Sequence, residues 1–472
     1  MEAAPWYIAH FFEITGYLLA IILIPRILLE RRHPGATIAW VLAIGLIPLL
    51  GVPLYLLIGG KKVKRITKNK GWVAQDELAK AWFQNDNFLP PDNRKVAGLL
   101  MNSGMFPPTA NNRISVVDNG VETYNTLVGL IENAGNSIEI ATFILGRDEV
   151  GLRIVEMLAR KASQGIKVRL LLDAVGCLST RGSFVRPLIK AGGYVKVFLP
   201  ILPIRRPWSA NLRNHRKIMV VDGSKALVGG MNLAREYMGP APYKKRWKDV
   251  MMLITGSSVD HLRTIFRQDW VFSAGDEFEH CPQYLSPEGE GSIIQVVGDG
   301  PDIPDRPLYS GVLASLSQAQ ERIWVVTPYF VPDEPLSATL GLAARMGLDV
   351  RLIIPEKSNH PLVDLAGDSF LPVLVASGVR LYRYQPGMLH AKLIAVDGRL
   401  AVVGSGNMDI RSFQLNFEVA TFLYDHDDVR QVIQAIKKIL KDSRPVTLDK
   451  IENKSKFREF SEDICRVFSP LL

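Results

Sequence analysis

The chain has 472 residues, which suggests two or three domains, and a formal net charge of +9, which suits an anionic membrane and a nucleic acid equally. Its three cysteines, Cys177, Cys281 and Cys465, are too few and too scattered for a disulfide framework or a metal site, and they fit a reducing compartment. Hydrophobic residues make up 47% of the chain, slightly more than is usual in a soluble enzyme.

Two apolar runs near the amino terminus, residues 6–24 and 36–58, predict a membrane anchor within residues 1–70. About 20 apolar residues span a bilayer as a helix, although Glu13 interrupts the first run. A cleaved signal peptide is the alternative, but the start of the chain is not basic and a second apolar run follows the first. We therefore expect an anchor that is retained.

Basic residues beside the two runs indicate the orientation of the anchor. Six of them follow the second run and place the remainder of the chain in the cytoplasm: Lys61, Lys62, Lys64, Arg65, Lys68 and Lys70. If both runs crossed the membrane, Arg26, Arg31 and Arg32 would lie on the opposite side. Whether both runs span, or the first is re-entrant or interfacial, therefore stays open.

Beyond residue 110 the chain repeats itself. An apolar run at residues 138–143 and another at residues 165–172 have counterparts at residues 323–328 and 347–354. Apolar runs that alternate with helical spacing predict an α/β fold with a mostly parallel sheet buried on both faces.

The repeat sets the expected domain boundaries. We place a polar, proline-containing connector at residues 71–111 and one domain in each of residues 112–280 and 293–472. Residues 281–292, rich in Pro, Gly and Glu, form the expected linker between the two domains.

Each copy ends in the same motif, H-x-K-x4-D, at residues 215–222 and 390–397. Side chains alternate on a strand, so the histidine and the lysine two residues later share one face. The Asp222-Gly223 and Asp397-Gly398 pairs predict tight hairpin turns. With a two-residue loop, the returning strand pairs alike in both copies: His215 with Asn232, Lys217 with Gly230, His390 with Asn407, and Lys392 with Ser405.

This combination of side chains suits a phosphate group. Lysine and asparagine donate to phosphate oxygens, and glycine or serine permits close approach. One histidine can act as a nucleophile and a second as a general acid, so the two copies should face each other across a pseudo-twofold axis. A zinc site is disfavoured because a lysine shares a face with each histidine. Asp222 and Asp397 lie at turns, where structural and catalytic roles are equally open.

The duplicated motif resembles that of the phospholipase D superfamily, and further blocks resemble the bacterial cardiolipin synthases. These blocks are residues 31–40, 327–333, 386–392, 409–418 and 469–472. The motif alone indicates the superfamily, while the anchor and the blocks indicate the narrower family. The resemblance implies two tandem α/β/α sandwich domains related by a pseudo-twofold axis, behind a hydrophobic anchor in the bacterial inner membrane.

The resemblance also implies a reaction. One phosphatidylglycerol gives its phosphatidyl group to a histidine and releases glycerol, and a second phosphatidylglycerol accepts the group to form cardiolipin. No cofactor, metal or nucleic acid is implied, and the partners are anionic phospholipid and membrane. By the resemblance His215 is the nucleophile and His390 the acid and base, Asp222 and Asp397 join the catalytic set, and the phosphate is held by Lys217, Lys392, Asn232 and Asn407.

Each histidine also needs a hydrogen-bond acceptor that orients it. Two later strands offer a carboxylate at corresponding positions, and we expect Asp249 to support His215 and Glu418 to support His390. A longer stretch before the first motif, residues 200–214, is either a loop that binds headgroups or membrane or a plain solvated loop; it carries Arg205, Arg206, Trp208 and Arg213.

Four other functions remain as alternatives. A phospholipase D hydrolase would use water as the acceptor, and a phosphatidylserine synthase would use the same scaffold. A membrane-tethered nuclease is permitted by the basic charge, although no nucleic-acid motif is present. A non-enzymatic lipid-binding protein is disfavoured by two intact motifs. The oligomeric state stays open.

Overall fold

A computed structural model describes most of the chain, in the following ranges: residues 4–29, 34–56, 70, 89–200, 212–275 and 291–467. The chain divides into two compact units. The smaller comprises Met1–Asn69 and Ile201–Ala210, and the larger comprises Lys70–Pro200 and Asn211–Leu472. Both H-x-K-x4-D motifs belong to the larger unit.

The smaller unit contains three apolar helices, α1 (Ala4–Leu29), α2 (Pro34–Leu46) and α3 (Pro48–Leu54). The second apolar run is divided at Ile47, because Pro48 begins a new helix there. Ile27, Ile44 and Tyr55 pack in a small core. None of the helices, over the residues that are described, is long and apolar enough to cross a membrane.

The larger unit consists of two lobes with the same succession of elements. The first lobe runs from β1 to α8 and is preceded by α4. In chain order, this helix and the elements of the lobe are α4 (Pro91–Asn102), β1 (Thr109–Val117), α5 (Gly120–Glu132), β2 (Ser137–Thr142), α6 (Glu149–Ser163), β3 (Lys167–Asp173), α7 (Arg186–Lys190), β4 (Tyr194–Phe198), β5 (Ile218–Val221), β6 (Lys225–Gly229), β7 (Met251–Gly256) and α8 (Ser258–Ala274).

The second lobe repeats this order and adds short elements. It comprises β8 (Ser292–Asp299), α9 (Pro307–Ser317), β9 (Arg322–Val326), β10 (Phe330–Val331), α10 (Glu334–Arg345), β11 (Asp349–Pro355), α11 (Pro361–Asp368), α12 (Leu371–Ala376), β12 (Arg380–Tyr384), β13 (Leu393–Val396), β14 (Leu400–Gly404), β15 (Met408–Asp409), α13 (Ile410–Gln414), β16 (Glu418–Leu423), α14 (His426–Lys441), β17 (Ser443–Val446), α15 (Leu448–Glu452) and α16 (Lys456–Val467).

One sheet of fifteen strands joins the lobes, in the order β17-β12-β11-β9-β13-β14-β16-β8-β1-β7-β6-β5-β2-β3-β4. The order on one side of the β8–β1 junction mirrors that on the other, which is the expected pseudo-twofold relation. The sheet is mixed and not mostly parallel. The strands β2, β3 and β4 are parallel to one another. In contrast, β6 is antiparallel to both β5 and β7, and a short turn joins β5 to β6.

Three apolar cores hold this sheet. One lies in each lobe, and a third contains residues from both, such as Val220 of β5 and Leu393 of β13. Part of the segment expected as a connector belongs to this body, because α4 buries Val96 and Leu100 in the core of the second lobe. The two lobes therefore share both a sheet and a core.

Each motif leads into a hairpin whose loop has three residues. Val221 pairs with Lys225 and Val396 pairs with Leu400. Asp222 is thus an additional loop residue before Gly223 and Ser224, and the turn is closed by a hydrogen bond of 3.1 Å from Ser224 N–H to the Val221 carbonyl. Arg399 closes the second turn in the same way. The expected two-residue loop is wrong, and the register is shifted by one residue.

The motif aspartates hold these hairpins in place. Asp222 adopts a φ of 52° and accepts hydrogen bonds from the backbone N–H groups of Gly135, Asn136 and Ser137 at 2.7–2.9 Å. Asp397 has a φ of 53° and accepts from residues 320–322 at 2.8–2.9 Å. Both lie at the turn, at the opposite end of the hairpin from the histidine. Their carboxylates bind the start of a neighbouring strand, which favours the structural role for both residues; their assignment to the catalytic set stays a prediction.

We expect Asp222→Ala to destabilise the fold without removing a reacting group. The substitution removes three charge-assisted hydrogen bonds and puts alanine at a positive φ, which together should lower the free energy of unfolding by about 2–4 kcal/mol. Urea denaturation measures this change. Asp222→Asn tolerates the backbone conformation and should lose less; equal stability of the alanine variant and the parent protein would contradict the anchoring role.

Candidate active site

The histidine and lysine of both motifs meet in one buried site. His215, Lys217, His390 and Lys392 are each 8% exposed or less. The four side chains are close enough to affect one another's pKa values. The charge of Lys392 lowers the pKa of Lys217, and the charges of Lys217 and His215 lower the pKa of His390. The sequence prediction that the two copies combine into one site is consistent with this placement.

Two short interlobe bridges bring the motifs together. The backbone N–H of His215 donates to the Phe417 carbonyl at 2.9 Å, and the N–H of Phe417 donates to the Arg213 carbonyl at 2.9 Å. In the other lobe, the N–H of His390 donates to the Lys248 carbonyl at 2.7 Å. Each histidine is thus joined through its backbone to the residue just before a carboxylate of the opposite lobe.

The carboxylates contact the histidines in a crossed arrangement. His215 Nδ1 lies 3.0 Å and 3.1 Å from the two carboxylate oxygens of Glu418, and His390 Nδ1 lies 2.7 Å from Asp249 Oδ2. The expected pairing, Asp249 with His215 and Glu418 with His390, is wrong. The interlobe bridges explain the exchange, because they place Glu418 and Asp249 beside the histidine of the other copy.

The small residues of the motif regions lie against these carboxylates. Ser405 Oγ donates to Glu418 Oε2 at 2.5 Å. A Cβ on Gly230 would lie 2.2 Å from Asp249 Oδ1, so only glycine leaves room for that carboxylate. Gly230 and Ser405 occupy equivalent positions at the ends of β6 and β14. The structure gives both of them a carboxylate neighbour, and their expected contact with substrate stays a prediction.

The two motif asparagines differ in their contacts. Asn232 is buried, and its Oδ1 accepts a hydrogen bond of 3.1 Å from the backbone N–H of Ile144. Asn407 is also buried and hydrogen-bonds Asp409, but its Oδ1 has no hydrogen-bond partner among the described residues. The expected pairing of each asparagine with its histidine across the hairpin is wrong because of the shifted register.

Aromatic rings enclose the two histidines unequally. The Phe143 ring lies 5.1 Å from that of His215. The rings of Tyr237, Trp247 and Tyr329 lie 5.1 Å, 5.4 Å and 6.5 Å from that of His390. Sequence reasoning did not assign these four residues to the site. Only Tyr329 carried a signal, because it lies in the 327–333 block.

Burial controls the ionisation of the site. It lowers the pKa of His215, and burial together with the nearby lysines lowers the pKa of His390 further. Burial also raises the pKa of Asp249 to about 7. Burial acts to raise the pKa of Glu418 as well, but His215 and Lys217 outweigh it and hold that pKa below its usual value.

The two pairs therefore differ near neutral pH. The lowered pKa of Glu418 favours an ionised carboxylate that accepts the Nδ1 proton of His215. The raised pKa of Asp249 and the lowered pKa of His390 favour a proton on Asp249 that is hydrogen-bonded to Nδ1 of His390. Burial lowers the pKa of Lys392 to about 8 and that of Lys217 well below its usual range. An anion bound between the two lysines would strongly stabilise their charged forms, because a buried charge without a partner is costly.

A buried arginine supports one of the two carboxylates. Arg216 is fully buried, and its Nε donates to the Glu418 carbonyl at 2.9 Å. Its guanidinium also contacts Asp269 at 2.6 Å, and Lys70 Nζ lies 3.1 Å from the same carboxylate. The second lobe has Ala391 at the equivalent position, so this support exists beside Glu418 and not beside Asp249.

The loop before the first motif is described only at its end. Arg213 is buried and lies 3.3 Å from Asp173 Oδ1, so it is not the membrane-facing side chain that we considered. Arg205, Arg206 and Trp208 lie outside the described residues. Cys177 and Cys465 are free, and no group of three or more metal-ligating side chains is found within the described ranges; Cys281 lies outside them.

The sequence matches two known protein families and several curated proteins. Residues 127–270 and 312–440 match the family described as "Cardiolipin synthase, PLD-like domain", and residues 18–60 match "Phospholipase_D-nuclease N-terminal". Among curated proteins, the chain is 36% identical to a cardiolipin synthase of Geobacillus kaustophilus, over 94% of this chain and 90% of the relative. It is 34% identical to cardiolipin synthase 2 of Bacillus anthracis, over 98% and 91% of the two chains.

Solved structures share the fold. The crystal structure of phosphatidylserine synthase from Haemophilus influenzae superimposes with a TM-score of 0.62 at 16% identity, covering 80% of this chain and 98% of that one. This similarity supports the two-lobed architecture and carries no information on substrate.

A double-mutant cycle tests the crossed arrangement. We expect His215→Ala and Glu418→Gln to be coupled by about 1 kcal/mol or more in the free energy of unfolding, because the two side chains are in direct contact. His215→Ala and Asp249→Asn should be additive within about 0.5 kcal/mol. Chemical denaturation of the parent protein, the three single variants and the two double variants measures both values. Stronger coupling of His215 to Asp249 than to Glu418 would contradict the observed pairing.

Proposed function

The chain belongs to the cardiolipin synthase family of phospholipase D-like enzymes, and from that membership we propose that it joins two phosphatidylglycerol molecules into cardiolipin and glycerol. The observation that carries this proposal is one buried site with two histidines, two lysines and two crossed carboxylates. Such a site supplies a nucleophile, a separate acid and two cations for a phosphodiester. It supports phosphatidyl transfer through a covalent histidine intermediate.

His215 fits the role of nucleophile. Donation of its Nδ1 proton to the ionised Glu418 leaves the lone pair of Nε2 available for attack on phosphorus. A bond forms between Nε2 and phosphorus as the bond from phosphorus to the glycerol oxygen breaks. Glu418 stabilises the cationic imidazole ring that results.

His390 fits the role of acid and then of base. His390 gives its Nε2 proton to the departing glycerol oxygen, and the proton of Asp249 moves to Nδ1 of His390, so that the ring stays neutral and Asp249 becomes ionised. The hydroxyl of the second phosphatidylglycerol then gives its proton back to this pair and attacks phosphorus. The bond between phosphorus and Nε2 of His215 breaks, which restores the site and releases cardiolipin.

Lys217 and Lys392 fit the role of phosphate ligands. Both ammonium groups are buried, and the positive charge of Lys392 lowers the pKa of Lys217. An anion bound between the two groups would offset this repulsion. We assign the amide groups of Asn232 and Asn407 to the same phosphate, as further donors. Gly230 and Ser405 then act through the carboxylates that they contact.

Association with a membrane fits both the substrate and the amino terminus. Residues 18–60 match a family segment found at the amino terminus of phospholipase D-like proteins, and helices α1 to α3 are predominantly apolar. We propose that these residues anchor the enzyme in the bacterial inner membrane, with the two lobes in the cytoplasm as the basic residues 61–70 indicate.

The activity test uses the full chain in detergent with phosphatidylglycerol and a metal chelator. Cardiolipin and free glycerol in equal amounts are expected. Phosphatidic acid alone would instead indicate hydrolysis, and cleavage of added DNA would indicate a nuclease. With a radiolabelled phosphatidyl group, a quenched reaction of the parent protein should carry label on the protein. His215→Ala should carry none, and His390→Ala should gain its label more slowly, because the departing glycerol oxygen lacks its proton donor. Label on His215→Ala and not on His390→Ala would reverse the two roles.

We expect kcat/KM to fall on the alkaline side in two steps. Burial lowers the pKa of His215 below its usual value of 6.5, so His215 is neutral at and above that pH. As the pH rises through about 7, the proton shared by Asp249 and His390 is lost, and near pH 8 Lys392 loses its charge. Lys392→Arg keeps a cation and should remove the second step. A rate that rises between pH 7 and 9 would contradict this assignment.

A further inference from the structure

A basic cavity lies apart from the catalytic histidines, between helices α15 and α16 and the edge strands β12 and β17. It encloses about 420 Å³. Five cationic side chains line it, and they come from three separate parts of the second lobe: Arg383, Arg444, Lys450, Lys454 and Arg458. The volume is sufficient for a phosphate group with its attached alcohol.

The acidic neighbours do not balance these cations. Asp368 accepts hydrogen bonds from Arg383 and Arg458, and Glu356 accepts from Arg444. Glu462 accepts from Lys454 and Arg458. Three carboxylates thus face five cations, and the arginines are held in fixed orientations by their partners. A preorganised, positively charged cavity of this kind favours an anion such as a phosphate.

Helix α16, beside the cavity, exposes a stripe of large apolar side chains. Phe457, Phe460, Ile464 and Val467 are 80%, 64%, 42% and 75% exposed, and their spacing of three, four and three residues puts them on one face. The other face is held to the lobe, because Glu462 is buried and bonded to Lys454 and Arg458. Contiguous exposed apolar side chains on a soluble lobe mark an interaction surface.

The cavity and the stripe lie at the edge of the sheet that carries the active site. Glu356 directly follows the carboxyl end of β11, and β11 is parallel to β9. The last residue of β9, Val326, pairs with Leu393, which is the residue after Lys392. In the strand order β12-β11-β9-β13, three steps of about 4.8 Å separate β12 from β13, or about 15 Å. Glu356, which lines the cavity, therefore lies at the same end of the strands as Lys392.

Helix α11 connects the two regions. It packs against α16, and Arg458 of α16 bonds Asp368 at its carboxyl end. At its amino end, the ring of His360 lies 5.5 Å from that of Tyr329, which in turn neighbours His390. A surface that rests on α16 is thus adjacent to the wall of the catalytic site.

We propose that this surface is a second membrane contact, in which the basic cavity takes the phosphate of an anionic phospholipid and the α16 stripe enters the acyl region of the bilayer. Basic side chains beside an exposed apolar helical face are the pattern of an interfacial membrane helix. A symmetric pair of chains whose twofold axis passed through the cavity would set it against its own basic copy, which like charge opposes. The contact would hold the catalytic edge of the sheet toward the lipid.

The test uses the full chain reconstituted in vesicles, with a photoreactive phenylalanine analogue in place of Phe460. A matched protein carries the analogue in place of Glu459, which is also exposed but is rotated about 100° around the helix. Irradiation should give lipid adducts from position 460 and few from position 459. Vesicles that contain phosphatidylglycerol should give several times more adduct than vesicles of phosphatidylcholine alone.

A charge reversal tests the cavity in the same experiment. Lys450→Glu should lower the adduct yield in phosphatidylglycerol vesicles about fivefold, the effect expected for a basic residue at an anionic surface. Lys190→Glu, an exposed change in the first lobe, should have no effect. Absence of lipid adducts at position 460, adducts to a second protein chain, or equal yields with both lipids would each overturn the proposal. The readout needs no turnover, so its failure would leave the proposed reaction untouched.

Discussion

The hydrogen bond from Nδ1 of each histidine to a carboxylate of the opposite lobe is the interaction on which this structure depends. A fully buried carboxylate is costly unless it is paired, and within the site each one is paired across the lobe interface. Each carboxylate also accepts hydrogen bonds within its own lobe, but its histidine partner comes from the other lobe. The continuous sheet through β1 and β8 and the shared apolar core therefore have a chemical consequence, since they hold the two halves of the site in register.

Duplication of a motif does not make the two halves equal. Glu418 has Ser405 and the backbone support of Arg216, and its pKa is lowered; Asp249 has Gly230 beside it, and its pKa is raised to about 7. An ionised acceptor suits a histidine that must attack. A carboxyl group that shares its proton suits a histidine that must donate one. The assignment of roles that came from family resemblance thus acquires an independent physical basis in the asymmetry of the surroundings.

A site closed by aromatic rings and buried lysines must still receive lipid. The second lobe differs from the first in the elements added after β12, and these include the edge strand β17 and the two carboxyl-terminal helices α15 and α16. They carry the basic cavity and the exposed apolar stripe at the β17 edge of the sheet. Addition of these elements to one lobe breaks the pseudo-twofold symmetry at that edge, where we propose the second membrane contact.

The sequence by itself determined the repeat, the α/β class, the two histidine–lysine pairs and the turns that follow them, because strand alternation and Asp-Gly turns are local properties. It did not determine the hairpin register, since one additional loop residue, Asp222 or Asp397, shifts every pair by one. The structural role of Asp222 and the rings around His390 likewise depend on segments distant in the chain. The exchange of Asp249 and Glu418 was decided only by tertiary structure. Those contacts join residues 141 and 203 positions apart, and two interlobe backbone bridges select them over the equivalent contacts within each copy.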